Sequence, residues 1–162
     1  MEKYTLLYDS PLGILRLSSS DNALCSLTFN NSSDLLEVTE GHPLLREAAN
    51  QLTAYFSGTR KVFDLPLEQE GTLFQQQVWQ LLQAIPYGKT ISYLALAKAY
   101  GDVKAIRAIA SANGRNHLPV IIPCHRVIGT DQSLTGYSGG LGRKKWLLEH
   151  EARLHAGVQQ LF

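Results

Sequence analysis

Cysteine is scarce in this 162-residue chain, which holds only Cys25 and Cys124, far apart. That count excludes a disulfide framework. There is no C-x-x-C pair, and no His/Cys grouping has metal-ligand spacing, so no metal is expected. Long apolar runs are also missing. No stretch reaches the ~18 residues that would indicate a membrane span. The opening MEKYTLLYDS is acidic and mixed, so no signal peptide is expected. Charged residues make up only 18%, and no segment has the composition of a disordered tail. These absences point to a reduced, cytoplasmic, metal-free protein. Hydrophobic residues, at 44%, suffice for a core in one domain or two small ones.

Charge is divided unevenly. Residues 1–86 carry five Lys/Arg against ten Asp/Glu, a net −5, and residues 87–162 carry ten against four, a net +6. A basic half can attract a polyanion by neutralising phosphates, and the same counts fit a solvated surface of uneven charge.

The spacing predicts an α+β protein. KYTLLYDSPLGILRLSSSDNALCSLTFN alternates apolar and polar residues between turn signals, as three short antiparallel strands would. HPLLREAANQLTAYFSG then reads as a helix, with Pro43 at its start and Gly58 beyond its end. Its predicted buried face is Leu44, Ala48, Leu52 and Tyr55. A mixed connector follows, which places a domain boundary near Glu70 and gives domains 1–70 and 71–162. The second domain reads as mostly helical. TLFQQQVWQLLQAI has Thr72 as N-cap. SYLALAKAYG and DVKAIRAIASANG form two short helices, opened by Ser92 and Asp102, with the dimensions of a helix-turn-helix. The second would be the recognition helix, bearing Lys104 and Arg107, with Arg115 at its end. PVIIPC reads as a short buried strand and RVIGTDQSLTGYSGGLG as a glycine-rich wing. In the last helix, RKKWLLEHEARL, Trp146, Leu147 and Leu148 are expected to face inward.

A free cysteine is most often a small buried hydrophobe, and Cys25 fits that description. Cys124 has different neighbours. Pro123 favours an extended Ile122 and ends the strand there, leaving the thiol at its tip. His125 supplies a base that titrates near neutrality, and a nearby base favours the nucleophilic thiolate. Adjacent side chains on an extended segment point oppositely, so the pair needs a bend or a bridging water. A carboxylate must orient the imidazole, and the spacing leaves its identity open.

PCHRVIG followed by GYSGGLGRKKWLLEHE closely resembles the O6-alkylguanine-DNA alkyltransferases, also called methylated-DNA–protein-cysteine methyltransferases. The likeness reaches back through FQQQVWQLLQAIPYGKTISYLALA and AIRAIASANGRN, and covers roughly Thr72 to Glu151. The resemblance implies a repair protein that flips an alkylated guanine out of double-stranded DNA. It then moves the alkyl group irreversibly onto its own cysteine. The implied lesion is O6-alkylguanine, with O4-alkylthymine as the lesser candidate. No cofactor is implied, and the expected form is a monomer without membrane contact.

Position by position, the resemblance makes Cys124 the alkyl acceptor, His125 the base acting through a water, and Glu151 the orienting carboxylate. Tyr93 would give a proton to the departing guanine, and Arg107 would fill the gap left in the base stack. Ala105 and Ala108 flank Arg107 with small side chains, which lets the helix approach the minor groove closely. Asn116 would link the recognition helix to the cysteine segment. Pro119, Val127, Tyr137 and Ser138 fall where the family builds its base and alkyl pocket. His150 matches no role and is read as surface. Two departures stand out. His117 replaces a common proline, which removes a stiff turn, and Ala110-Ser111 stands where some relatives carry glycines.

Without the resemblance, plainer readings fit each position: Glu151 as a solvated acid, Tyr93 as a helix-start anchor, Arg107 as a phosphate contact and Asn116 as a turn residue. Three rival functions follow from the same residues: a lesion-binding module without transfer, a winged helix-turn-helix regulator, and a cysteine hydrolase.

Overall fold

A computed structural model describes residues 2–30 and 41–160, and the chain divides into two compact units, Met1–Glu70 and Gly71–Phe162. The architecture is α+β. In the first unit, β1 (Tyr4–Ser10), β2 (Gly13–Ser19) and β3 (Leu24–Phe29) form an antiparallel sheet in the order β1-β2-β3. Alternation places Leu15 and Leu17 on the buried face of β2. Helix α1 (Pro43–Ser57) begins on its proline and ends at Gly58, whose φ of 89° is left-handed and whose N–H caps the last turn. Its buried face is Leu45, Ala48, Gln51, Leu52 and Tyr55. Leu45 therefore replaces Leu44 in the expected stripe: 45, 48, 52 and 55 keep the 3–4 spacing, and Leu44 lies one step around the helix, half-buried.

The second unit opens with α2 (Leu73–Gln83). Thr72 accepts from Gln75 N–H while the Gln75 side chain accepts from Thr72 N–H, a reciprocal cap. Such a cap contributes about 1 kcal/mol. Trp79, nearly fully buried, donates its indole N–H to Ala112 O at 2.8 Å. Next comes the two-residue β4 (Ile91–Ser92), followed by α3 (Tyr93–Tyr100) with Ser92 as N-cap and Gly101 as left-handed C-cap. The expected helix from Asp102 starts differently. Asp102 caps a 3-10 turn, Val103–Ala105, before α4 (Ile106–Gly114). Lys104 and Ala105 thus precede α4 rather than lie in it, unlike the expected recognition helix.

The largest correction concerns PVIIPC. These residues are buried, as expected, but they form consecutive turns rather than a strand. Ile122 N–H bonds to Leu118 O at 2.8 Å and Cys124 N–H to Ile122 O at 2.7 Å. Asn116 supplies the rest: its Oδ1 accepts from Leu118 N–H and its Nδ2 donates to Ile122 O at 2.9 Å. A side chain and local turns therefore satisfy backbone groups that a ladder would have paired. Val120 takes a φ of 73°, an uncommon conformation for a β-branched residue.

After a 3-10 turn at Cys124–Arg126, β5 (Val127–Ile128) pairs parallel with β4, Ile91 opposite Val127. Helix α5 (Leu141–Gln160) closes the unit. Of its three expected inward residues only Leu147 is buried; Trp146 and Leu148 are half-buried. His150, expected at the surface, is 3% exposed and stacks on Trp146 at 4.7 Å. It lies one turn from Leu147, on the face that also carries Lys144 and Glu151. No helix among the described residues is long and apolar enough to cross a membrane.

Candidate active site

The 3-10 turn at Cys124–Arg126 supplies the bend that an extended segment lacks. With about three residues per turn, successive side chains diverge around the axis instead of opposing one another. His125 and Arg126 both reach Glu151 on α5. His125 Nε2 lies 2.8 Å from Glu151 Oε2, and Arg126 grips both carboxylate oxygens, Nε to Oε1 at 2.8 Å and Nη2 to Oε2 at 3.0 Å. Arg126 Nη1 also donates to Ile85 O at 2.7 Å. His125 is 0% and Glu151 1% exposed.

Electrostatics fixes the protonation states. Burial alone would raise the Glu151 carboxyl, but the bonds and charges of His125 and Arg126 hold it well below the ordinary carboxylate range. A carboxylate only accepts, so His125 carries its hydrogen on Nε2. Nδ1 is left with its lone pair, buried and without a protein hydrogen bond among the described residues. Burial outweighs Glu151 and pulls the His125 pKa below 6.5, so the ring is neutral at pH 7. Burial also pushes the Cys124 thiol up to about 11, partly opposed by a hydrogen bond from Asn116 and the charge of Lys144. The resting thiol is therefore protonated, and its thiolate, once formed, is poorly solvated and strongly nucleophilic.

The β4–β5 pairing sets Tyr93, first residue of α3, next to the cysteine segment. Its hydroxyl donates to Thr135 O at 3.3 Å. Tyr137 lies within electrostatic reach of the thiol, and burial raises its pKa well above 10.0. Asn116 is joined to Cys124 as described. Of the remaining pocket candidates, Pro119 and Val127 are buried and Ser138 is exposed. Lys104, Arg107, Ala108 and Arg115 are exposed, and Ala105 is half-buried.

Sequence reasoning passed over three residues. The sequence assigns Arg126 no role, although a buried guanidinium must find a carboxylate or carbonyls. Lys144 is 0% exposed and donates to Val127 O at 2.6 Å and Thr135 O at 2.7 Å, tying the wing to β5. Asn113, buried on α4, donates to Cys124 O at 3.4 Å. None has a local sequence signal beyond its place on a buried helical face or in an apolar run.

These shifts predict a stability plateau with two limbs. His125 and Glu151 both have folded pKa values below their unfolded ones, so the unfolded chain binds protons first. Stability falls as pH drops below about 6.5, and further below about 4.5. Cys124 has the opposite sign: its contribution is present below pH 9.0 and is lost as pH rises toward about 11. That difference is worth about 3 kcal/mol. Urea midpoints at pH 8 and pH 10.5 should drop more for the native chain than for Cys124→Ala. Equal drops would contradict a desolvated thiol.

Comparison with known proteins bears on this arrangement. Residues 73–153 match the 6-O-methylguanine DNA methyltransferase DNA binding domain, and residues 3–69 match the ribonuclease-like domain of the same proteins. The chain is 43% identical to a methylated-DNA–protein-cysteine methyltransferase of Methanosarcina acetivorans, covering 91% of this chain and 97% of that one. It is 45% identical to a constitutive one of Bacillus subtilis, covering 86% and 88%. The crystal structure of Mycobacterium tuberculosis OGT in complex with DNA superimposes with a TM-score of 0.85 at 41% identity, covering 94% of each chain.

Proposed function

The chain belongs to the 6-O-methylguanine DNA methyltransferase family, repair proteins that move an alkyl group from O6-alkylguanine in DNA to a cysteine, and we propose that Cys124 is the cysteine that receives it. The observation that carries this assignment is the buried chain Arg126–Glu151–His125, which leaves a lone pair on His125 Nδ1 beside the Cys124 turn.

In this reading a water relays the thiol proton to His125 Nδ1. The sulfur attacks the alkyl carbon in line, the carbon–O6 bond breaks as the carbon–sulfur bond forms, and Tyr93 protonates the departing guanine. Such a donor avoids release of a bare anion. The thioether is permanent, so each molecule acts once and needs no cofactor. DNA is the partner. Lys104 and Arg115 contact phosphates, Ala105 and Ala108 admit the helix to the groove, and Arg107 occupies the gap left by the flipped base. Extrusion costs a few kcal/mol, less at a damaged pair. Tyr137, Ser138, Pro119 and Val127 shape the pocket for the base and alkyl group, and Asn116 joins the DNA-facing helix to the thiol. O6-alkylguanine is the principal substrate and O4-alkylthymine a secondary one. The protein works as a monomer in the cytoplasm, whose reducing conditions keep its cysteines free.

Incubation with duplex DNA carrying O6-methylguanine should add one methyl group per molecule, mapped by peptide mass spectrometry to Cys124. An unchanged protein mass with the lesion intact, or repeated turnover without an adduct, would overturn the assignment.

A further inference from the structure

The stretch between α2 and β4, residues 84–90, has no part in the chemistry above, yet three of its residues close on the buried ion pair. Ile85 O accepts from Arg126 Nη1 at 2.7 Å. Gly88 N–H donates to Glu151 Oε1 over a longer 3.4 Å. Between these two bonds the Arg126 guanidinium carbon sits over the Tyr87 ring, 5.7 Å from its centroid and within cation–π range. Lys89 N–H closes the turn on Pro86 O at 3.2 Å. Gly88 completes it with a φ of 78°, and a Cβ there would lie 3.0 Å from His155 Cβ on α5. Pro86 and Lys89 are exposed and Tyr87 is half-buried, whereas the Arg126 and Glu151 side chains are 8% and 1% exposed. The Tyr87 ring is therefore the outer wall of this pair.

Such a wall acts on His125 through its neighbours. The charged groups facing the imidazole are Glu151 and Lys144 on α5 and Arg126 on its own turn. Helix α2, which also packs on that turn, carries no ionisable side chain. Arg153 on α5 is the other charge near Tyr87. Burial is the largest influence keeping the imidazole neutral, the two cations add to it, and Glu151 opposes it. Water admitted beside Arg126 would relieve the burial and loosen the guanidinium from Glu151. Both changes favour imidazolium, which has no lone pair at Nδ1 to take the thiol proton.

We propose, on the reading of His125 as the base, that Tyr87 is a positioning residue for thiol activation: its ring keeps water from the Arg126–Glu151 pair and so holds His125 neutral and able to accept at Nδ1.

The pH profile of single-turnover transfer from duplex DNA carrying O6-methylguanine tests this, with the folded fraction followed at each pH by circular dichroism. The native rate should fall on the acid side with a midpoint below 6.5, as His125 takes up a proton. In Tyr87→Ala that midpoint should rise toward 6.5. The variant should then be slower by about 3–10-fold on the acid limb and within about twofold at pH 8, where both rings are neutral. Tyr87→Phe keeps the ring face and should reproduce the native profile. Nitrogen NMR shifts of the His125 imidazole, read without DNA, should show the same displacement. Equal slowing of Tyr87→Ala at every pH, an unmoved midpoint, or a phenylalanine variant as impaired as the alanine one would overturn the proposal and make Tyr87 merely structural. If the native profile has no acid limb, or its midpoint departs from that of the His125 imidazole, the base reading of His125 fails, and the inference fails with it for that separate, visible reason. Tyr87→Leu, which also lacks the ring face, is read the same way if the alanine variant does not fold.

Discussion

Glu151→Gln is expected to lower the single-turnover rate of methyl transfer about 10⁴-fold while the protein stays folded, the scale seen when the acid that orients a catalytic histidine becomes an amide. The reason is the tautomer. In the native site the carboxylate accepts from His125 Nε2 and obliges Nδ1 to keep its lone pair. Glutamine offers an N–H₂ group of the same shape. Arg126 donates to both oxygens of the native carboxylate. The glutamine carbonyl would be drawn to those donors and its amide would turn toward His125. A ring that accepts at Nε2 carries its hydrogen at Nδ1, where it can no longer take the thiol proton. With the thiol pKa near 11, few molecules hold thiolate at neutral pH without that base. Rapid-quench assays at saturating damaged duplex measure the effect, and raising the pH should recover part of the rate as the thiol ionises unaided. A loss below tenfold at pH 7 would show that the histidine tautomer does not limit the reaction.

Arg126→Leu should cost about 3–5 kcal/mol of stability, because it leaves a buried carboxylate without its cation. Arg126 is 6% exposed and makes three strong bonds, two to Glu151 and one to Ile85 O. His125 would also change. The nearby guanidinium is one of the influences that keep the ring neutral, so its loss favours a protonated imidazole that cannot act as a base. Urea titration at pH 7 gives the first effect. The companion variant Arg126→Leu/Glu151→Leu separates charge from packing, since replacing a whole buried pair by apolar residues is often close to neutral. Substantial recovery of the urea midpoint is expected in the double variant. A single-variant loss under about 1 kcal/mol would mean that water reaches the carboxylate.

The parts of this fold that could be read from sequence are those fixed by neighbours in the chain. Thr72 and Ser92 cap the helices they precede, and Gly58 and Gly101 end theirs with positive φ, because capping is settled within a few residues. The site was harder to read. PVIIPC has the composition of a buried strand, and periodicity alone cannot separate a strand from a buried coil whose polar groups are met by one asparagine. The two-residue pair β4–β5 is too short to leave a pattern, yet it brings Tyr93 to the cysteine segment. Glu151 was identified only through resemblance, since no spacing rule connects it with His125 across 26 positions. No local signal marks Arg126 and Lys144 as buried cations, because burial is a property of the assembled unit. The expectation that His150 lies outside failed similarly, because its stacking on Trp146 follows from how α5 is rolled against the unit.

The left-handed backbone at Val120 has a consequence for where the chemistry resides. A valine held there costs on the order of 1–3 kcal/mol, and a short excerpt of the chain has nothing to offset that. A synthetic peptide spelling PVIIPCHRV would relax to extended forms, lose its turns, and carry a thiol like that of any small-molecule mercaptan. The character of the thiol is thus a property of the whole helical unit pressing on nine residues, and grafting those nine onto another scaffold would transplant the letters without the reactivity.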